Sequence, residues 1–155
     1  MLFRLFQPDD FEALCAIEEV CFEPPLRFSR RYIGRLVEAS NTATWIAELG
    51  GRIAGFAIVE WTPHAEGGTA YLVTIEVAPA ARSRGAGSEL LRLAEASAVK
   101  ADARFLWLHV DETNATAIRL YQSRGYSYHA AEKDYYAPGR DALIYGKSLS
   151  GRIRD

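Results

Sequence analysis

Two glycines stand where a helix should begin. An apolar, strand-like run covers Tyr71 to Val77, and helical patterning extends from about Gly87 to Lys100, with Gly85 and Gly87 at the junction. In a helix interior each glycine costs about 1 kcal/mol relative to alanine, and nothing in the neighbouring sequence offsets that cost. A local rule broken without structural gain marks a functional site. Glycine admits a bulky ligand close to the backbone, and a helix start offers unpaired N–H groups with a partial positive charge. The stretch Arg82-Ser83-Arg84-Gly85-Ala86-Gly87-Ser88 therefore reads as a cradle for a phosphate or pyrophosphate. The amides of Ser83 to Ser88 would be its donors, with Arg82 and Arg84 as flanking cations. The strands before and after that helix should be parallel neighbours joined by a right-handed crossover.

Two better-known phosphate motifs do not fit. A dinucleotide fingerprint wants a third glycine where Leu90 stands, and the NTPase phosphate loop ends in Gly-Lys-Ser/Thr, which is absent here. At 155 residues the chain fits one domain, 1–155, with room for a core. A net charge of −2 gives no reason to expect bulk nucleic-acid or membrane binding. No apolar run approaches the roughly 20 residues of a membrane span, and no signal-peptide pattern opens the chain. Cys15 and Cys21 match no metal or redox spacing and read as buried, reduced thiols. No metal is expected, and a cytoplasmic location is the default expectation.

The remaining elements follow from periodicity and punctuation. Leu2 to Phe6 reads as a strand, and Pro8-Asp9-Asp10 starts a helix carrying Leu14, Ile17 and Cys21 on its apolar face. Phe22-Glu23-Pro24-Pro25 breaks that helix, and Ser29 to Ala39 forms a second. Thr44 to Leu49 and Ile53 to Trp61 are strands around Gly50-Gly51, a hairpin signal. Pro63 to Gly68 is a loop. Phe105 to Val110 is the strand after the glycine-initiated helix, Asn114 caps a fourth helix ending at Gly125, and Tyr126 to Glu132 and Ala142 to Leu149 are the last strands. The expectation is a mixed α/β fold: seven strands, mostly antiparallel, with a parallel fourth and fifth pair and four flanking helices.

Arg82, Gly85 and Gly87 match the Arg/Gln-x-x-Gly-x-Gly/Ala signature, and in this the chain resembles the GNAT acyltransferases. Their order of elements is the one read above, and the resemblance covers nearly the whole chain. Leu106-Trp107-Leu108-His109-Val110 is similar to N-terminal protein acetyltransferases, including the ribosomal-protein alanine type. So is Asn114-Ala115-x-Ala117-Ile118-x-Leu120-Tyr121-x-x-x-Gly125-Tyr126. Tyr135-Tyr136 resembles their Asn-Tyr-Tyr loop, with Asp134 in place of the asparagine.

The resemblance implies attack of a free amine on the thioester of acetyl-CoA within a ternary complex. Strands four and five would splay apart, leaving the backbone of Ile75, Glu76 and Val77 to pair with the pantetheine arm and to face a developing oxyanion. Tyr121 would act as general acid toward the thiolate and Asn114 would contact the cofactor. Seven residues separate them, so they share a helix face. Read without the family, they are a core tyrosine and an ordinary cap. His109 shares a strand face with Phe105 and Trp107. The bacterial alanine acetyltransferases carry Glu at this position. The Leu-His-Val form instead resembles some eukaryotic enzymes, where the histidine works through water with a tyrosine at the position of Tyr71. A simple parallel register separates Tyr71 from His109, so their meeting needs an offset. Glu76 is the spare carboxylate, turned away from Tyr71 by strand alternation unless a bulge intervenes.

An α-amine titrates near 8 and lysine near 10.4, so freeing lysine costs roughly 3 kcal/mol more. A histidine base, ordinarily near 6.5, suits the easier amine. The expected acceptor is a peptide or protein N-terminus, a ribosomal protein among the candidates, gripped by Phe22, Glu23, Pro24, Tyr135 and Tyr136. The alternatives are a small amine (polyamine, amino acid or antibiotic) and a non-catalytic acyl-CoA-binding module. Monomer and homodimer both remain open.

Overall fold

The computed structural model describes residues 1–62 and 68–149. β1 (Leu2–Leu5) leads through a 3-10 turn at Pro8–Asp10 into α1 (Phe11–Cys21) and α2 (Arg30–Glu38). β2 (Thr42–Leu49), β3 (Arg52–Trp61) and β4 (Thr69–Val77) form a meander, followed by α3 (Ala86–Lys100) and β5 (Phe105–Asp111). α4 (Ala115–Ser123), β6 (Ser127–Ala137) and β7 (Arg140–Ser148) complete the chain. Most of the loop expected at 63–68 lies outside the described residues.

The seven strands form one sheet in the order β1-β2-β3-β4-β5-β7-β6. Only β4 and β5 are parallel. α1 and α2 cover one face, where Leu14, Ile17 and Leu36 pack on Ile46, Phe56 and Ile58. On the opposite face Leu91, Ala94 and Ala98 of α3 pack on Val59, Leu72, Leu106 and Leu108, joined by Ile118 and Tyr121 of α4. Burying an aliphatic or aromatic side chain contributes about 1.5–3 kcal/mol, which outweighs the weak helix propensity of short α2 and α4. Their starts are fixed by capping: the Ser29 hydroxyl accepts from the Tyr32 N–H at 3.1 Å, and Asn114 Oδ1 accepts from the Ala117 N–H at 3.2 Å. The two cysteines are free; Cys15 is buried, but Cys21 at the end of α1 is only half-buried.

The feature that positions the site lies in the middle of β4. Thr74 pairs with Ile58 and Leu72 pairs with Val59, so Val73 is an extra residue, a bulge. Parallel pairing with β5 runs from Thr69–Phe105 to Leu72–Leu108 and ends there. Beyond the bulge β4 stays bonded to β3 as far as Val77, while β5 follows β7 along its whole length. The two parallel strands part at Val73 and leave a slot between them.

Candidate active site

A cavity of about 960 Å³ occupies this slot and continues across the α1–α2 face of the sheet. One end is walled by Thr74, Ile75, Asp111, Asn114 and Tyr121, the other by the α1–α2 connection and the β6–β7 hairpin.

The register supplies the offset between Tyr71 and His109. β4 starts two residues earlier than the sequence suggests, so Tyr71 pairs with Trp107 and His109 is the next residue on the same face. The Tyr71 hydroxyl lies 2.7 Å from His109 Nδ1, and His109 Nε2 lies 2.7 Å from Oε1 of Glu132. A carboxylate can only accept, so Nε2 carries the proton and Nδ1 is left to accept from the phenol. Burial, then the neighbouring Tyr135, holds the Tyr71 phenol well above its usual range and therefore protonated. Tyr135 stacks on the imidazole with centroids 4.0 Å apart and planes 12° from parallel. Three side chains from two strands thus immobilise one ring.

Glu132 was not picked out from the sequence. β6 is exposed along most of its length, and its alternation carries no signal that one carboxylate bends over β5. Asp111 was also missed. It is buried at the slot wall, where it accepts from Thr113 and Arg140, the latter at 2.6 Å. Asp134 adopts a left-handed backbone (φ 56°), a conformation that Asn and Asp tolerate better than most residues. Its carboxylate accepts from the Gly139 N–H at 2.8 Å, closing the hairpin that carries Tyr135 and Tyr136. The exchange of Asn for Asp therefore leaves that loop intact.

Glu76 lies elsewhere. The Val73 bulge does bring it to Tyr71's face, since Tyr71 pairs with Glu60 and Glu76 with Phe56, four residues apart on β3. But the residue is only 3% exposed, sits under α1 against Glu18, and is absent from the cavity wall. Each of the two leaves its Oε1 without a donor, as two facing carboxylates must, and a shared proton supplies the missing one. Burial first, then Glu18, pushes Glu76 up to about 10. The Glu18 partner oxygen accepts from the Phe28 N–H at 2.9 Å, so the pair braces the α1–α2 connection against β4.

Tyr121 is buried and lines the cavity, and its hydroxyl has no hydrogen-bond partner among the described residues. Burial, then Tyr136, keeps that phenol protonated. Asn114 lines the same wall while its oxygen caps α4.

At the start of α3 the two glycines have different reasons. Gly85 is the cap in a left-handed conformation (φ 83°), so backbone geometry offsets part of the cost counted above. Gly87 has ordinary geometry, and an added Cβ would only touch Leu120 Cδ2 at 3.5 Å. The fold does not require a glycine there. Ser83, in the exposed loop before the helix, is also left-handed (φ 66°). Arg82 is not a free cation: it donates to the Val77 carbonyl at 2.9 Å and reaches Cys21 Sγ. Arg84 is exposed and makes no ion pair among the described residues. Since the Ala78 N–H bonds to Ala54 on the β3 side, period two turns Val77 toward the slot, where Arg82 takes its carbonyl, and leaves Ile75 open.

Phe22 and Tyr135-Tyr136 line the cavity, whereas Glu23 and Pro24 do not. Glu23 turns its carbonyl to the Leu26 N–H, and the wall is built instead by Pro25, Leu26, Arg27 and Phe28. No group of three or more metal-ligating side chains occurs among the described residues, and no helix there is long and apolar enough to cross a membrane.

A parted parallel pair, an open strand edge and a helix start that leaves room at a glycine define a site for a thioester donor. The family model described as Acetyltransferase (GNAT) family matches residues 7–126, and the chain belongs to that family. It is 26% identical over 147 residues to the N-terminal acetyltransferase A complex catalytic subunit NAA10 of Arabidopsis thaliana, covering 93% of this chain and 76% of that one. It is 33% identical over 129 residues to the streptothricin acetyltransferase of Streptomyces lavendulae, covering 78% and 67%. The crystal structure of the ribosomal-protein-S18-alanine N-acetyltransferase from Escherichia coli shares the fold, with a TM-score of 0.82 at 24% identity over 99% of this chain and 98% of that one. The protein is an acetyl-CoA-dependent N-acetyltransferase.

Proposed function

We propose that the acceptor is the α-amino group of a peptide or protein N-terminus. The observation that carries this reading is the Tyr71–His109–Glu132 chain at the floor of a cavity flanked by two loops. A groove between the 22–28 connection and the 134–140 hairpin suits an extended chain entering end-on. Likeness to the N-terminal acetyltransferase subunit supports the same choice.

Bound acetyl-CoA supplies the acetyl group as a thioester. The amides at Ala86, Gly87 and Ser88 would hold its pyrophosphate, and the open edge at Ile75 would bind its arm and offer an N–H to an oxygen gaining charge. The acceptor amine, directly or through water, passes a proton to the Tyr71 oxygen while the Tyr71 hydroxyl proton moves to His109 Nδ1. Glu132 stabilises the imidazolium that forms. Tyr121, protonated and unpartnered, is the donor for the departing sulfur. Asn114 would orient the cofactor from the wall beside it.

One finding favours a second reading, a small-molecule amine acceptor: the 33% identity to streptothricin acetyltransferase. Following CoA release over a panel of N-terminal peptides and small amines decides between them. Turnover of peptides irrespective of side-chain lysines supports the first. Turnover confined to small amines replaces it with the second.

A further inference from the structure

Glu60 is an acidic residue at the acceptor end whose role nothing above supplies. It lies near the end of β3, is partly buried, lines the cavity and pairs across strands with Tyr71. Its side chain therefore rises on the same face as the Tyr71–His109 pair, within about 5 Å of Tyr71 at Cβ. Its charge is felt at the wall opposite: after burial, Glu60 is the main cause that lifts the Tyr32 phenol.

Among the described residues no cation pairs with it. Arg27, on the same cavity wall, donates to the Phe22 and Glu19 carbonyls. The Arg35 guanidinium lies over the ring of Tyr32, 5.5 Å from its centroid. Arg140 is held by Asp111. Tyr71 stands across from the carboxylate and Tyr32 lies within reach of its charge, both on the cavity wall, with Trp107 packed on Tyr71 at 4.6 Å between centroids. An unneutralised carboxylate among aromatic faces has the composition of a cation site.

The reacting amine is not the cation it suits. That nitrogen must shed a proton beside Tyr71, and a neighbouring carboxylate would hold the proton on. A second positive group, a few bonds further along the acceptor, gains the attraction without that cost.

We propose that Glu60 selects acceptors that carry a second cationic group close to the reacting amine. The chemistry is shared by a peptide with Lys or Arg at its first or second residue and by an oligoamine. The inference rests on the acceptor end assigned above, and it holds for either acceptor class.

The test uses matched pairs: peptides differing only by Lys or norleucine near the N-terminus, and a diamine against a monoamine of equal length. The ratio of kcat/KM within each pair is measured for the wild type, Glu60→Gln and Glu60→Lys, with acetyl-CoA binding as the folding control. In at least one pair the wild type should favour the charged member by about tenfold or more, the worth of one charge-assisted contact. Glu60→Gln should bring that ratio near one, and Glu60→Lys should invert it. If only the amines turn over and the charged member is favoured, selection by Glu60 stands and the peptide reading falls. If neither pair shows the preference, or the preference survives in Glu60→Gln, the inference is overturned, while turnover of the peptides keeps the peptide reading.

Discussion

The two ends of the cavity are built on opposite principles. The proposed donor end uses backbone: a strand edge at Ile75, the loop amides from Ser83 onward, and Gly87, where no side chain fills the space. Those backbone parts come from one contiguous stretch, and Asn114 and Tyr121 complete the wall. The acceptor end uses side chains from separate elements, Tyr71 on β4, His109 on β5, Glu132 on β6 and Tyr135 beside it on the hairpin. A backbone site tolerates many substitutions and fails at the few that add bulk or charge. A side-chain site fails wherever one member of the chain is cut.

The largest effect should come from the acceptor end. His109→Gln keeps a polar side chain but cannot take the proton, and kcat/KM should fall about 100-fold or more with loss of its acid limb. Glu132→Gln, which keeps an acceptor for the ring but removes the charge that stabilises the imidazolium, should follow in the same direction at about a tenth of the size. An unchanged pH–rate profile with a lowered Tm in His109→Gln would make the histidine structural and erase the contrast.

At the donor end, Gly87→Asp should weaken acetyl-CoA binding by at least about tenfold in calorimetry, through bulk and like charge at a phosphate site. The Cβ itself is tolerated, so the fold survives and Gly87→Ala should bind better than Gly87→Asp. Equal affinities would move the pyrophosphate elsewhere. Tyr121→Phe joins the two ends: kcat should fall about tenfold while acetyl-CoA affinity holds, because the partner charge appears only during reaction. An unaltered kcat would leave Tyr121 a core residue.

The smallest effect on rate belongs to Glu76→Gln, outside the cavity. The folded chain keeps a proton that the unfolded chain, at about 4.5, releases, because Glu76 is pushed up to about 10. Stability therefore falls as pH rises between those values, by at most about 1.4 kcal/mol per unit. Glutamine retains a donor toward Glu18 and does not titrate. Tm plotted against pH should flatten on the alkaline side, with turnover near neutrality retained. A collapse of kcat/KM would return the base role to Glu76.

The same contrast explains what could be read without coordinates. The strand–helix junction at the two glycines and the parallel crossover lie in one contiguous stretch and were legible, as was the order of elements. The acceptor end depends on register. Tyr71 meets His109 because β4 begins at Thr69, and Glu76 shares Tyr71's face because one residue bulges, neither of which periodicity reveals. Glu132 was hidden by the uniform exposure of β6, and Arg82 looked like a phosphate ligand because nothing local said that it would fold back on Val77.

The Val73 bulge has a consequence for how such a chain can change. Past it, β4 and β5 stop pairing, so the sheet is an unfinished zipper whose last teeth are kept apart for a guest. Deleting that one residue would let the strands close on each other and gain hydrogen bonds. The product would withstand more heat and have no mouth. In this protein the most tempting stabilising step is a shortening that ends its trade.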